Sequence, residues 1–152
     1  METQWLDSNL KIVETLNVPY KLVHWDHWLE QEEFSETLRE YKLLYDSNNL
    51  FQSSLTEDLN RFVNKYYNLY SNYVSKEAFV NNCVNLLLEE FSVWSIIGRT
   101  GSYIKIYPAK SLKTANILSE GKITAPKGIA NITFAKVSFK KRGSYREPSS
   151  TY

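Results

Sequence analysis

A single cysteine, Cys83, excludes any disulfide within the chain, and with only two histidines, His24 and His27, there is no Cys/His spacing of a structural zinc site. No apolar run exceeds three residues, as in Leu86-Leu87-Leu88, far short of the roughly 20 that a membrane helix needs. The opening METQWLDSNLK has neither the basic region nor the apolar core of a secretory signal. These absences predict a soluble, intracellular, cytoplasmic protein of a reducing compartment that makes no use of a membrane. Only five glycines and four prolines are present. None of them builds a G-x-x-x-x-G-K-[ST] or G-x-G-x-x-G phosphate cradle, so no nucleotide-hydrolysing loop, metal or cofactor is expected.

Acidic and basic residues, by contrast, are abundant and sorted by position. Residues 1–96 hold 7 Lys/Arg against 15 Asp/Glu, a net of −8, and residues 97–152 hold 11 against 2, a net of +9. The overall +1 conceals this. Such asymmetry suggests an anionic partner for the basic half, unless the two halves pack together and neutralise each other. Asn, Tyr, Lys and Ile are frequent too, which an AT-rich coding sequence supplies without selection for them.

The first 92 residues carry helical patterns. Leu6, Leu10, Val13 and Leu16 predict a short helix from Asp7 or Ser8, ending before Pro19. Asp26 is a candidate cap for a helix to about Asp46, with Phe34, Leu38, Tyr41 and Tyr45 on one face and Asn48-Asn49 as its break. Ser54 and Glu57 have capping-box spacing ahead of Leu55, Leu59, Phe62, Tyr66, Leu69 and Tyr73. Ser75 caps a fourth helix with Phe79, Cys83, Leu86, Leu87 and Phe91 inward. From Val93 the pattern shifts: Trp94–Gly98 and Tyr103–Tyr107 read as a hairpin, and Lys122–Thr124 with Ile129–Lys140 as a second one. The segment Ser111–Ser119 fits a short helix or a strand. The expected fold is α+β: a four-helix acidic part (about 7–92) packed with a small antiparallel β-sheet (about 93–141). The expected organisation is an acidic helical subdomain at 1–92, a basic β subdomain at 93–142 and a flexible tail at 143–152, in one compact domain.

If Ile104 and Ile106 face the core, Tyr103, Lys105 and Tyr107 share an exposed face that offers stacking platforms beside positive charge. That suits single-stranded nucleic acid, where stacking is worth about 1–3 kcal/mol per base. Arg99, Lys110, Lys113, Lys122, Lys127, Lys136, Lys140, Lys141 and Arg142 would extend the patch. A second polar face, Arg61, Asn64, Lys65 and Asn68, lies on the third helix between Asn60 and Asn72. His24 and His27, close to Glu30, Glu32 and Glu33, are the only acid–base pair that suggests catalysis. The sequence alone thus favours a non-catalytic nucleic-acid-binding accessory subunit, with its acidic helices toward a protein partner such as a polymerase, primase or nuclease. The alternatives are an interaction module without nucleic-acid binding (an inhibitor, immunity or anti-defence protein) and a small nuclease built on the two histidines.

Overall fold

The computed structural model of the protein describes residues 23–107 and 112–136. Five helices and two strands follow in order: α1 (Trp25–Leu29), α2 (Phe34–Ser47), α3 (Asn49–Tyr66), α4 (Lys76–Arg99), β1 (Tyr103–Tyr107), α5 (Lys113–Ser119) and β2 (Ile132–Lys136). Short 3-10 turns at Tyr67–Leu69 and Ile129–Asn131 follow α3 and precede β2. The helix expected at 7–16 and the tail at 143–152 lie outside the described residues.

The helical half departs from the sequence reading at its boundaries. Asp26 does not cap one long helix; the chain turns at residues 30–33 and restarts as α2. The break at Asn48-Asn49 is a handover, because the Asn48 side chain accepts from Phe51 N (2.9 Å) and caps α3. Ser54 therefore sits inside α3, buried, with its hydroxyl donated to the Phe51 carbonyl (2.9 Å), and forms no capping box. Ser75 does cap α4, accepting from Ala78 N (3.2 Å).

α4 continues through Trp94–Gly98, where a strand was expected. Trp, Ile and Ile there favour a strand on propensity, but burial along one helical face overrides it. At 24 residues, α4 is the central element. Its Phe91 meets Tyr41 of α2 and Phe51 of α3 in a fully buried ring triangle with centroids 6.0–6.2 Å apart. The Tyr41 hydroxyl shares a 2.8 Å hydrogen bond with Ser95 Oγ, which satisfies both groups in the core. Gly98 is needed for packing. A Cβ there would lie 2.0 Å from the Gly128 carbonyl oxygen, and one on Gly128 (φ 101°) would lie 2.0 Å from Ser95 O. Asn131 Nδ2 then donates to the Gly98 carbonyl (2.8 Å), fastening the turn before β2 to α4.

The sheet is parallel, not antiparallel. Tyr103 pairs with Ile132 and Tyr107 with Lys136, in unbroken register. Parallel strands need a crossover, and α5 supplies it. α5 buries Thr114, Ala115, Ile117 and Leu118, which settles the ambiguity at 111–119 in favour of a helix. No residue at the start of α5 caps it; a residue of α3 does. The buried carboxylate of Asp58 accepts from Lys113 N (3.1 Å), Thr114 N (2.9 Å) and Thr114 Oγ1 (2.9 Å), and pairs with Arg61. This joins the acidic half to the basic half through the core.

Candidate functional site

The orientation expected for β1 is reversed at its centre. Ile104 is 68% exposed, whereas Lys105 is half-buried with its ammonium 4.3 Å from the centre of the Trp94 ring. Cation–π contact of this kind holds the lysine against α4 and away from solvent. Trp94 Nε1 in turn donates to Glu90 Oε1 (3.2 Å), one helical turn earlier.

α4 and β1 are joined by residues 100–102 alone, and Lys105 of β1 reaches back to Trp94 of α4. The step from Trp94 to Glu90 covers about 6 Å along α4. Glu90, Trp94 and Lys105 thus form a carboxylate–indole–ammonium row between α4 and the middle of β1. A part-buried carboxylate with a fixed orientation and a nearby cation can take up a proton from an attacking amine or hydroxyl and stabilise the charge that forms.

The residues singled out from the sequence are scattered. Arg99, expected in a hairpin turn, ends α4 and donates to Thr37 Oγ1 (2.9 Å) and to the Lys127 carbonyl (3.3 Å). Lys113 pairs with Glu57 (2.6 Å), Lys122 with Glu120 (2.5 Å). The hydrogen-bonded Lys113 ammonium holds Glu57 below the ordinary carboxylate range. Tyr103 is 43% exposed, its hydroxyl bonded to Thr100 Oγ1 (2.8 Å), and Lys127 is exposed. Tyr107 and Lys136 are backbone partners at the last register position of the sheet. Lys110, Lys140, Lys141 and Arg142 lie outside the described residues. The second polar face is divided: Asn64 and Lys65 stay exposed on α3, Lys65 over the Tyr66 ring, while Arg61 is held by Asp58 and Asn68 falls in the 3-10 turn.

His24 and His27 are both exposed at the start of α1, His27 edge-on to Trp28. Among the described residues no three His, Cys, Asp or Glu side chains gather to hold a metal ion. No described helix is long and apolar enough to cross a membrane. Cys83 is half-buried against the core, and burial raises its thiol above the ordinary value, which disfavours the reactive thiolate.

No protein-family model matches the chain, and neither does any curated protein. Four chains of solved structures do, among them the structure of a CDPS, a cyclic dipeptide synthase, from Fluoribacter dumoffii. The two superpose with a TM-score of 0.70 at 23% sequence identity, over 78% of this chain and 53% of that one. The fold is shared. This chain spans about half the length of that synthase.

The likeness corrects the expectation of a non-catalytic nucleic-acid-binding accessory subunit, since the shared fold is that of an enzyme. Two observations agree. The Tyr-Lys-Tyr face rested on Ile104 turning to the core, whereas Ile104 is exposed and Lys105 lies on Trp94, and the acidic and basic halves meet through Asp58–Thr114 and Glu57–Lys113. Sequence reasoning missed Glu90 and Trp94 because the helix was ended near residue 92. Their spacing of four residues is the helical neighbour distance and was the available signal.

Proposed function

We propose that this chain takes part in the synthesis of cyclic dipeptides, contributing the helical and β-α-β part of the fold that it shares with the synthase. The superposition on that enzyme carries the reading. A cyclic dipeptide is closed by two amide bonds. Each forms when the α-amine of one aminoacyl unit attacks the activated carboxyl of the other, expels its leaving group and gives up a proton. Such a reaction calls for a base close to the amine and a group that steadies the charge on the acyl oxygen. In the described residues Glu90 is the base we assign, oriented by Trp94, and Lys105 lies over the same indole ring as a cation.

Expression of the chain in a bacterial host, followed by mass spectrometry of the culture medium, tests this. Ions with the mass of two amino acids less two waters are expected with the native chain and lost with Glu90→Gln. A medium indistinguishable from that of cells lacking the chain would overturn the proposal. Unchanged product from Glu90→Gln would remove Glu90 from its assigned role while leaving the reaction in place.

A further inference from the structure

A second site opens elsewhere in the fold. Residues of α2, the end of α4 and the segment 124–127 enclose a cleft of about 650 Å³, within the range of small-molecule sites. Arg99 stands on one side, held in one pose by two hydrogen bonds to uncharged groups. Thr37 Oγ1 gives its own proton to the Glu33 carbonyl (2.8 Å), so toward Arg99 it can only accept. The guanidinium is thus oriented but not neutralised, for none of the ion pairs among the described residues includes it. Lys127, exposed and outside any of those ion pairs, adds a second cation to the same wall.

The α2 wall has the opposite sign. Glu36 and Glu40 are one turn apart there. The contact of Glu36 with Arg39 is 3.9 Å long between well-exposed side chains, which contributes little. Glu40 belongs to none of the described ion pairs. Leu44 and Pro126 supply apolar surface between the walls. Opposite charges therefore border one cleft without pairing. A simple anion would be repelled by the glutamates and a simple cation by Arg99 and Lys127. A ligand with both a carboxylate and an ammonium group meets each wall with its complement.

We propose that this cleft binds a zwitterionic ligand of amino-acid or linear-dipeptide size, with its carboxylate on Arg99 and Lys127 and its α-ammonium on Glu40. The site is separate from Glu90 and stands whether or not the chain makes cyclic dipeptides. Cyclic dipeptides have neither free terminus, so the cleft discriminates against them.

Calorimetric titration of the full chain with L-leucyl-L-leucine at low salt tests the assignment. The parallel ligands are its N-acetyl form, its C-terminal amide and cyclo(Leu-Leu). Saturable binding of the linear dipeptide is expected, weakened about tenfold or more by blocking either end and lost for the cyclic form. Glu40→Gln, on an exposed residue whose loss leaves the fold intact, is expected to weaken the dipeptide at least tenfold and the C-terminal amide likewise. Arg99→Gln is expected to weaken the dipeptide and the N-acetyl form. No heat from the linear dipeptide at millimolar concentration overturns the proposal, as does binding that is indifferent to blocked termini or to Glu40→Gln. Should Arg99→Gln unfold, the blocked ligands and Glu40→Gln still decide.

Discussion

From Leu88 to Gly98, α4 buries Leu88, Phe91, Ser92, Val93, Ser95, Ile96 and Gly98; from Lys76 to Leu87 it buries Val84 alone. The first stretch is no less apolar in kind, with Phe79, Val80, Leu86 and Leu87. What differs is the number of surfaces available to cover it. The second stretch meets α2, α3, the 3-10 turn before β2, and β2 itself. The first borders a cleft shared with Tyr45 and Asp46 of α2 and otherwise meets the end of α3 and the turns after it, where Phe79 stacks on Phe62 (6.2 Å) and Tyr70 (5.5 Å). That cluster stays open to water: Phe62 is 45% exposed, Leu86 59% and Tyr73 87%. Hydrophobic stabilisation scales with area removed from water, so similar residues on one helix contribute very differently. The candidate site belongs to the well-covered end, where rigid packing can hold Glu90, Trp94 and Lys105 in place.

The sharpest way to break this contrast is at the crossing of α4 with the turn before β2. Gly128→Ala places a methyl against Ser95 O at a backbone conformation that L residues rarely adopt. A loss on the order of 4 kcal/mol or outright failure to fold is expected in urea unfolding; a near-native midpoint would show that the two backbones can separate at little cost. Next comes a matched pair on α4. Phe91→Ala is expected to cost about 4 kcal/mol through a closed cavity, and Phe79→Ala about 1 kcal/mol, since water already reaches that ring. Equal losses from the two would erase the distinction between the ends.

Tyr41→Phe probes the covered end more gently. It leaves Ser95 Oγ in the core without its partner and is expected to cost about 1 kcal/mol at neutral pH. Burial raises the Tyr41 hydroxyl well above the ordinary tyrosine value, with Ser95 and Arg99 pulling the other way and Glu40 adding to it. The folded state keeps this proton where the unfolded chain releases it. Stability attributable to it is therefore whole below about pH 10 and is lost as the pH climbs toward the folded-state value. The native protein should lose stability with rising pH in that alkaline range, and Tyr41→Phe should flatten the fall; equal slopes would mean that Tyr41 is not sealed from solvent. Smallest of all, Leu86→Ser at the open end should move the midpoint by no more than about 0.5 kcal/mol. A larger loss would place Leu86 under cover that the described residues do not provide.

Helix positions that face a partner along their whole length were legible in the sequence. Leu38, Tyr41 and Tyr45 keep the 3–4 residue rhythm on α2 and line the core, as do Leu55 and Leu59 on α3. The same rhythm failed at Leu69 and Tyr73, because α3 ends at Tyr66 and the residues beyond it leave the helical register, and at Phe62, which is still helical but has only the Phe79 and Tyr66 rings to cover it. Ser75 was recognisable because a cap is a local hydrogen bond. Asp58 was not, for the helix it caps lies 55 residues downstream and no local pattern ties a carboxylate on one helix to the amides of another. Lys105 looked like a solvent-facing strand residue until Trp94 was found beneath it.

Local chemistry in the sequence determined the helical character of most of residues 34–99, the cap of α4 at Ser75, the strand at 103–107 and the sorting of charge, all of which arise from neighbours a few residues apart. Tertiary structure alone decided the rest. Burial along one face kept α4 helical to its end, and the close approach of Gly128 to Gly98 fastened the turn before β2 to it. Asp58 brought the acidic and basic halves together, and Lys105 of β1 came to rest on Trp94 of α4, the partner of Glu90. Each of those depends on groups well separated along the chain, whose meeting is governed by shape and by the need to satisfy buried polar atoms, and neither is expressed in a sequence period.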